Sequence, residues 1–184
     1  SVIENYFGDG NKFGAKISYV HEKKRMGTAG SLSLLKNTKM PKLPFFVMNG
    51  DILTNINFNH FLDYHEASNS KMTMCVKEYD FQVPYGVLNI KDGKIQNIIE
   101  KPVHNFHVNA GIYLLEPEIL DLIPDDKFYD MNDLFKNILD KFSIGSVMSF
   151  PMREYWMDIG KIDEYKRAEL DYDKIFLLKN SNEK

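Results

Sequence analysis

The stretch PFFVMNGD, residues 44–51, decides how the rest of the chain is read. Its apolar run predicts a buried, parallel strand that stops abruptly at Asn49-Gly50-Asp51. Asn-Gly is a strong turn signal, so the plainest reading is a strand running into a turn. The sharper reading is a ligand site. Open α/β sheets bind ligands beyond the carboxyl ends of their parallel strands. A carboxylate at that edge, Asp51, is placed to hold a metal.

Working outward, strand-like and helical patterns alternate. Residues 1–14 read as the end of a helix that starts without a cap and breaks at Gly8. The alternation in AKISYVHE (15–22) predicts a strand. GTAGSLSLLKN (27–37) predicts a helix with Thr28 as N-cap. Phe58, Phe61, Leu62 and His65 recur at helical spacing within 57–69. A strand follows at 71–79, then a hairpin over 85–102 that turns at Asp92-Gly93. Another strand is expected at 108–116, helices at 117–123 and 131–142, and short strands at 146–152 and 155–160. A closing helix at 161–175 leads to a polar tail. The alternation predicts an α/β fold with a mixed, mainly parallel sheet in one domain, 1–173, and a tail at 174–184.

Composition narrows the function classes. The 184 residues are 43% hydrophobic and 27% charged, ordinary for a globular chain long enough to bury a core. The formal net charge of −3 offers no attraction to nucleic acid or an anionic membrane. No apolar run approaches the ~20 residues of a membrane span, and residues 1–10 lack the layout of a signal peptide. The single cysteine, Cys75, cannot form an internal disulfide and reads as a buried thiol mid-strand. These features predict a cytoplasmic protein.

Four constellations could carry chemistry. Gly27, Thr28, Ala29 and Gly30 are small, allow close backbone approach, and open a helix whose N–H groups could face a ligand. They match no phosphate loop of the form G-x-x-x-x-G-K-[ST], and a helix start with small packing residues is the ordinary alternative. Asp51 and Asp158 each end a strand, and two such carboxylates could share a hard cation, typically Mg²⁺. Capping is the competing role, strongest for Asp158 beside a helix start. Glu100 and Lys101 end the hairpin in IIEKP (98–102); Lys101 could meet a phosphate and Glu100 could accept sugar hydroxyls. An exposed charged pair is the ordinary alternative. Gly86 and Gly111 interrupt strand patterns, a sign of close approach by backbone or ligand. Of five histidines, only His104 and His107 sit near each other, with no third ligand for zinc. No G-x-S-x-G nucleophile elbow and no G-x-G-x-x-G dinucleotide fingerprint is present.

In order along residues 2–170, YFGDGNKFGAKISYVHEKKRMGTAGSL, FFVMNGDIL, VPYGVL, IIEKP, VNAGIYLLEPEIL and EYWMDIGKIDEYKRA resemble the sugar-1-phosphate nucleotidyltransferases. The resemblance is greatest to the guanylyltransferase-like branch acting on mannose, heptose or amino-sugar phosphates. It implies a Rossmann-like nucleotidyltransferase fold. The implied reaction moves a nucleoside monophosphate from an NTP, GTP for this branch, onto a sugar-1-phosphate and releases pyrophosphate, for cell-surface glycan synthesis. It also implies roles. Asp51 and Asp158 would hold Mg²⁺, and Lys101 would contact the sugar phosphate. Gly86, Glu100, Asn109 and Gly111 would line the sugar pocket, and Gly27–Gly30 would border base and ribose.

One departure stands out. The family's Gly-rich loop, G-G-x-G-T-R-L-x-P-L-T, and its following K-P motif are not in these 184 residues. Read against the family, the sheet is truncated at its N-terminal strands, and the expectation is that the chain alone has negligible activity. Met26, where the family usually has Leu, is a mild swap. A second copy could cover exposed edges as a homo-oligomer. The alternative is a non-catalytic, sugar-phosphate-binding regulatory homologue.

Overall fold

The computed structural model describes residues 1–38 and 40–177; of the tail expected at 174–184, residues 174–177 continue in a helical turn and 178–184 lie outside the described residues. Strand β1 (Phe45–Met48) is followed by β2 (Ile52–Thr54), β3 (Met72–Gln82), β4 (Val87–Lys91) and β5 (Lys94–Ile99). Then come β6 (Val103–Leu115), β7 (Val147–Met152) and β8 (Trp156–Asp158). Helices are α1 (Val2–Phe7), α2 (Gly27–Gly30), α3 (Phe58–Ser68), α4 (Met131–Phe142) and α5 (Ile162–Tyr172). None of the described helices is long and apolar enough to cross a membrane.

The main sheet has four strands in the order β1-β6-β3-β7. It is mixed, as expected, but not mainly parallel: β1–β6 and β3–β6 pair antiparallel, and only β3–β7 is parallel. The stretch that opened the reading is therefore an antiparallel edge strand, with Phe45 and Val47 half-buried and Phe46 and Met48 exposed. The expected burial is thus only partial as well: an apolar run fixes neither the direction of its neighbour nor whether both faces of the strand are covered. The 87–99 hairpin forms as its Asp92-Gly93 turn demands, with both turn residues at positive φ (49° and 72°).

Three other expectations are corrected. Residues 15–22 form no strand, because no ladder partner faces them; instead Ile17 N–H donates to Asp9 O and the Tyr19 hydroxyl to Gly8 O. The 27–37 helix is a single α-turn, α2, continued as a 3₁₀ segment, and Thr28 is not its N-cap. Helix α1 does have a cap: Ser1 and Glu4 form a capping box.

The chain divides into two compact units, residues 1–43 with 117–143, and residues 44–116 with 144–184. In the first, α4 buries Met131, Leu134 and Ile138 at helical spacing. The second holds the eight described strands, and there β3, β6, β7 and α3, together with Ile56, bury a core of Ile56, Phe61, Cys75, Ala110, Ile112, Leu114 and Met152. Phe61, from α3, stacks on Phe150 at 4.8 Å between ring centres. A fully buried side chain of that size contributes about 1.5–3 kcal/mol.

Candidate active site

Strand β6 carries an irregularity that shapes the site. Met74 pairs with Tyr113 and Val76 with Asn109, so β6 takes four residue steps where β3 takes two. Gly111 sits inside this bulge at φ +71°, a conformation open to glycine but strained for other residues. The bulge turns main-chain groups outward from the ladder. Gly111 O accepts the Asn49 N–H at 2.9 Å, and Ala110 O accepts the Trp156 indole N–H at 2.8 Å. The Asn109 side chain braces it, accepting from Gly111 N–H at 2.9 Å and donating to the Tyr113 hydroxyl at 2.7 Å. One bulge thus anchors both the Asn49-Gly50-Asp51 tip and the start of β8.

Those anchors bring the two carboxylates together. In the antiparallel β2–β8 pair, Ile52 faces Asp158, and Asp51 O accepts the Ile159 N–H at 2.8 Å. A Cβ on Gly160 would lie 3.0 Å from Asp158 Oδ1 and 3.2 Å from Asp51 Oδ2. Glycine is what leaves room for both oxygens. Asp158 Oδ1 also accepts the Gly160 N–H at 2.9 Å, so part of the expected capping role is present too. Two exposed oxygen donors side by side suit Mg²⁺, which keeps several waters and binds through one or two carboxylates plus phosphates. Among the described residues no group of three or more His, Cys, Asp or Glu is placed to form a closed protein cage.

The pair opens on a cleft of about 820 Å³ in the second unit, whose walls include Lys77, Tyr155, Arg153, Lys161 and Arg167. Tyr155 donates to Asp171 Oδ2 at 3.3 Å. Partial burial, with the Asp171 charge added, raises its phenol pKa, so it remains a protonated donor. Cys75, on β3, is fully buried; desolvation, with Glu154 as a smaller cause, pushes its thiol up to about 12.

The other expected site residues fall elsewhere. Gly86 and Glu100 meet at the hairpin base, where a Cβ on Gly86 would be 3.0 Å from Glu100 Oε2. Lys101 sits beside them at φ +45°, its N–H donating to Tyr85 O at 3.3 Å. None of these three lines the carboxylate cleft, nor do Asn109 and Gly111. In the first unit the small-residue turn does not offer its N–H groups to a ligand. Ala29 and Gly30 both donate to Tyr129 O, and Thr28 N–H to Asp130 Oδ1 at 3.0 Å. Thr28 Oγ1 instead accepts the Met131 N–H at 2.9 Å and so caps α4. Sequence reading missed Asn49, Lys77, Arg153, Lys161 and Arg167. Asn49, Lys161 and Arg167 had a signal, as parts of the quoted motifs that supply Asp51 and Asp158.

Comparisons with known proteins agree with this architecture. The mannose-1-phosphate guanyltransferase of Kluyveromyces lactis is 33% identical over 169 residues, which are 88% of this chain and 46% of the relative. The mannose-1-phosphate guanylyltransferase catalytic subunit beta of Dictyostelium discoideum is 33% identical over 160 residues, covering 84% and 43%. The crystal structure of HddC from Yersinia pseudotuberculosis superposes with a TM-score of 0.66 at 25% identity, over 94% of this chain and 74% of that one. The chain spans about half the length of the curated relatives it matches. The nucleotidyl transferase family model matches residues 1–175, so the chain belongs to that family.

Proposed function

We propose that the protein transfers a nucleoside monophosphate from an NTP, GTP by preference, to a sugar-1-phosphate, releasing pyrophosphate and forming an NDP-sugar. The observation that carries the reading is the meeting of Asp51 and Asp158 over Gly160. The relatives' names, mannose-1-phosphate guanyltransferases, support guanine and a hexose phosphate. In the transfer, an oxygen of the sugar-1-phosphate bonds to the α-phosphorus of the NTP. The bond from that phosphorus to the bridging oxygen breaks, and its electron pair leaves with pyrophosphate. Such a reaction needs positioning and charge neutralisation more than covalent help from the protein.

Asp51 and Asp158 would hold Mg²⁺, which when bound supplies positive charge to the reacting phosphates. The β6 bulge keeps both carboxylates in place through Asn49 and Trp156. Glu100, Lys101 and Gly86 are proposed to meet the sugar and its phosphate, and Asn109 and Gly111 to border the sugar. Gly27, Thr28, Ala29 and Gly30 are proposed to let the nucleotide approach closely through their lack of bulk rather than by N–H donation. The reading places this chemistry in the cytoplasm. The 184 residues contain no G-G-x-G-T-R-L stretch, and by themselves they are proposed to turn over negligibly.

The test is pyrophosphate release by the product of the whole gene with GTP, Mg²⁺ and mannose-1-phosphate, extended to other NTPs and sugar-1-phosphates. Asp51→Asn and Asp158→Asn should each lower kcat/KM by about 100-fold or more while the circular dichroism stays unchanged. Failure of every NTP and sugar-phosphate pair to release pyrophosphate refutes the transferase reading. Wild-type rates in both Asn variants refute the carboxylate assignment.

A further inference from the structure

The acidic side of the cleft is accounted for by the proposed reaction; its basic side is not. Arg153, Lys161 and Arg167 line the same cleft as Asp51 and Asp158. Among the described residues none of the three forms an ion pair. Glu78, Glu154 and Glu164 line that cleft as well, so the three cations stay unpaired although carboxylates are at hand.

The fourth cation, Lys77, is committed to the backbone. Its Nζ donates to Glu154 O at 2.9 Å and Arg153 O at 3.5 Å. From the other side, Tyr155 N–H donates to Asn55 Oδ1 at 3.0 Å, and Tyr155 O accepts from Thr54 Oγ1 at 2.7 Å. Arg153 therefore rises from a turn held at both ends. Lys161 is the N-cap residue of α5 and Arg167 lies within that helix, and both line the cleft. A guanidinium presents paired donors that fit phosphate oxygens, and an ammonium adds a point charge. Lys101, the cation expected at the sugar phosphate, does not line this cleft.

We infer that Arg153, Lys161 and Arg167 form a phosphate-holding wall, which takes the multiply charged phosphate of the sugar-1-phosphate or the pyrophosphate set free beside the carboxylate pair. The inference rests on the transferase reading above. It assigns these residues to binding and positioning of an anion.

Calorimetric titration of the chain with mannose-1-phosphate, and separately with pyrophosphate, with and without Mg²⁺, tests it. Arg153→Gln, Lys161→Gln and Arg167→Gln should each weaken one of the two ligands by about fivefold. Lys161→Arg should restore most of the loss. Lys94→Gln, on the exposed hairpin, should change nothing. Loss confined to mannose-1-phosphate identifies the sugar phosphate as the occupant, and loss confined to pyrophosphate identifies the leaving group; either supports the wall. All three variants exposed here should melt as the wild type does. If they bind both ligands within about twofold of wild type while Asp51→Asn removes the Mg²⁺-dependent affinity, the wall is overturned and the transferase reading stands. If the wild-type chain binds neither phosphate, the wall is overturned as well. The transferase reading is then judged separately by pyrophosphate release from the whole gene product.

Discussion

Replacing Gly111 with alanine should damage the site from within the sheet. At φ +71° an alanine is strained by about 1–2 kcal/mol. Its Cβ would also lie 2.7 Å from Asn49 Nδ2 and 3.1 Å from Asn49 Cγ. The Asn49 backbone is held, its N–H bonded to Gly111 O at 2.9 Å, so its side chain must leave its rotamer to make room. Forcing an atom into a filled space costs about 1–3 kcal/mol. The sum is about 2–5 kcal/mol. Asn49→Ala alone removes no side-chain bond of this kind and should cost about 0.5 kcal/mol. In the double variant the clash is gone and only the backbone strain remains, about 1–2 kcal/mol. The assay is urea unfolding followed by fluorescence of Trp156, the sole tryptophan, whose indole bonds the residue next to Gly111. With a slope of about 2 kcal/mol per molar urea, Gly111→Ala should lower the midpoint by about 1–2.5 M. The second change should give back about half of that. Additive costs in the double variant, or a Gly111→Ala cost below about 0.5 kcal/mol, refute the bulge geometry.

Two more outcomes follow from buried groups. His65 is buried, with Nδ1 2.7 Å from Thr73 Oγ1 and 3.1 Å from Ser70 Oγ, and Nε2 3.4 Å from Glu116 Oε1. Desolvation holds its pKa below the ordinary 6.5, outweighing the upward pull of Glu116 and Glu66. The fold thus prefers neutral His65, and its contribution is complete above pH 6.5. It is lost as pH falls below 6.5 and through the folded-state pKa. Urea midpoints measured across that range should drop toward acid, and a His65→Gln variant should show a shallower drop; equal slopes refute it. The Cys75 thiol, pushed up to about 12 and fully buried, should resist an aromatic disulfide reagent at pH 8 in the native protein and react at once in denaturant. Rapid native labelling would show that the core opens around it.

Local chemistry was legible wherever a residue's own neighbours decide the outcome. The Asp92-Gly93 turn, the amphipathic α4 and the burial of Phe61 and His65 in α3 all follow from spacing that a chain carries within itself. Spacing alone left the carboxylate pair as two separate strand ends, since 107 positions, 51 to 158, divide its members, and only the family resemblance joined them. The 15–22 segment shows the opposite failure: it alternates like a strand, but a strand exists only if a partner supplies its hydrogen bonds. Likewise the small-residue turn looked open to a ligand, until Tyr129 and Asp130, a hundred positions away, took its N–H groups.

The sequence alone therefore determined most of the element types, the buried cysteine, the family and two strand-end carboxylates, because each rests on local pattern or on motifs read in order. The tertiary structure alone decided that β1 pairs antiparallel at an edge, that a bulge at Gly111 anchors both acidic tips, and that Arg153, Lys161 and Arg167 share their cleft. Strand direction, register and the gathering of distant side chains are set by which hydrogen-bonding partners and apolar faces meet in space. Those meetings depend on the packing of the whole second unit rather than on any window of neighbouring residues.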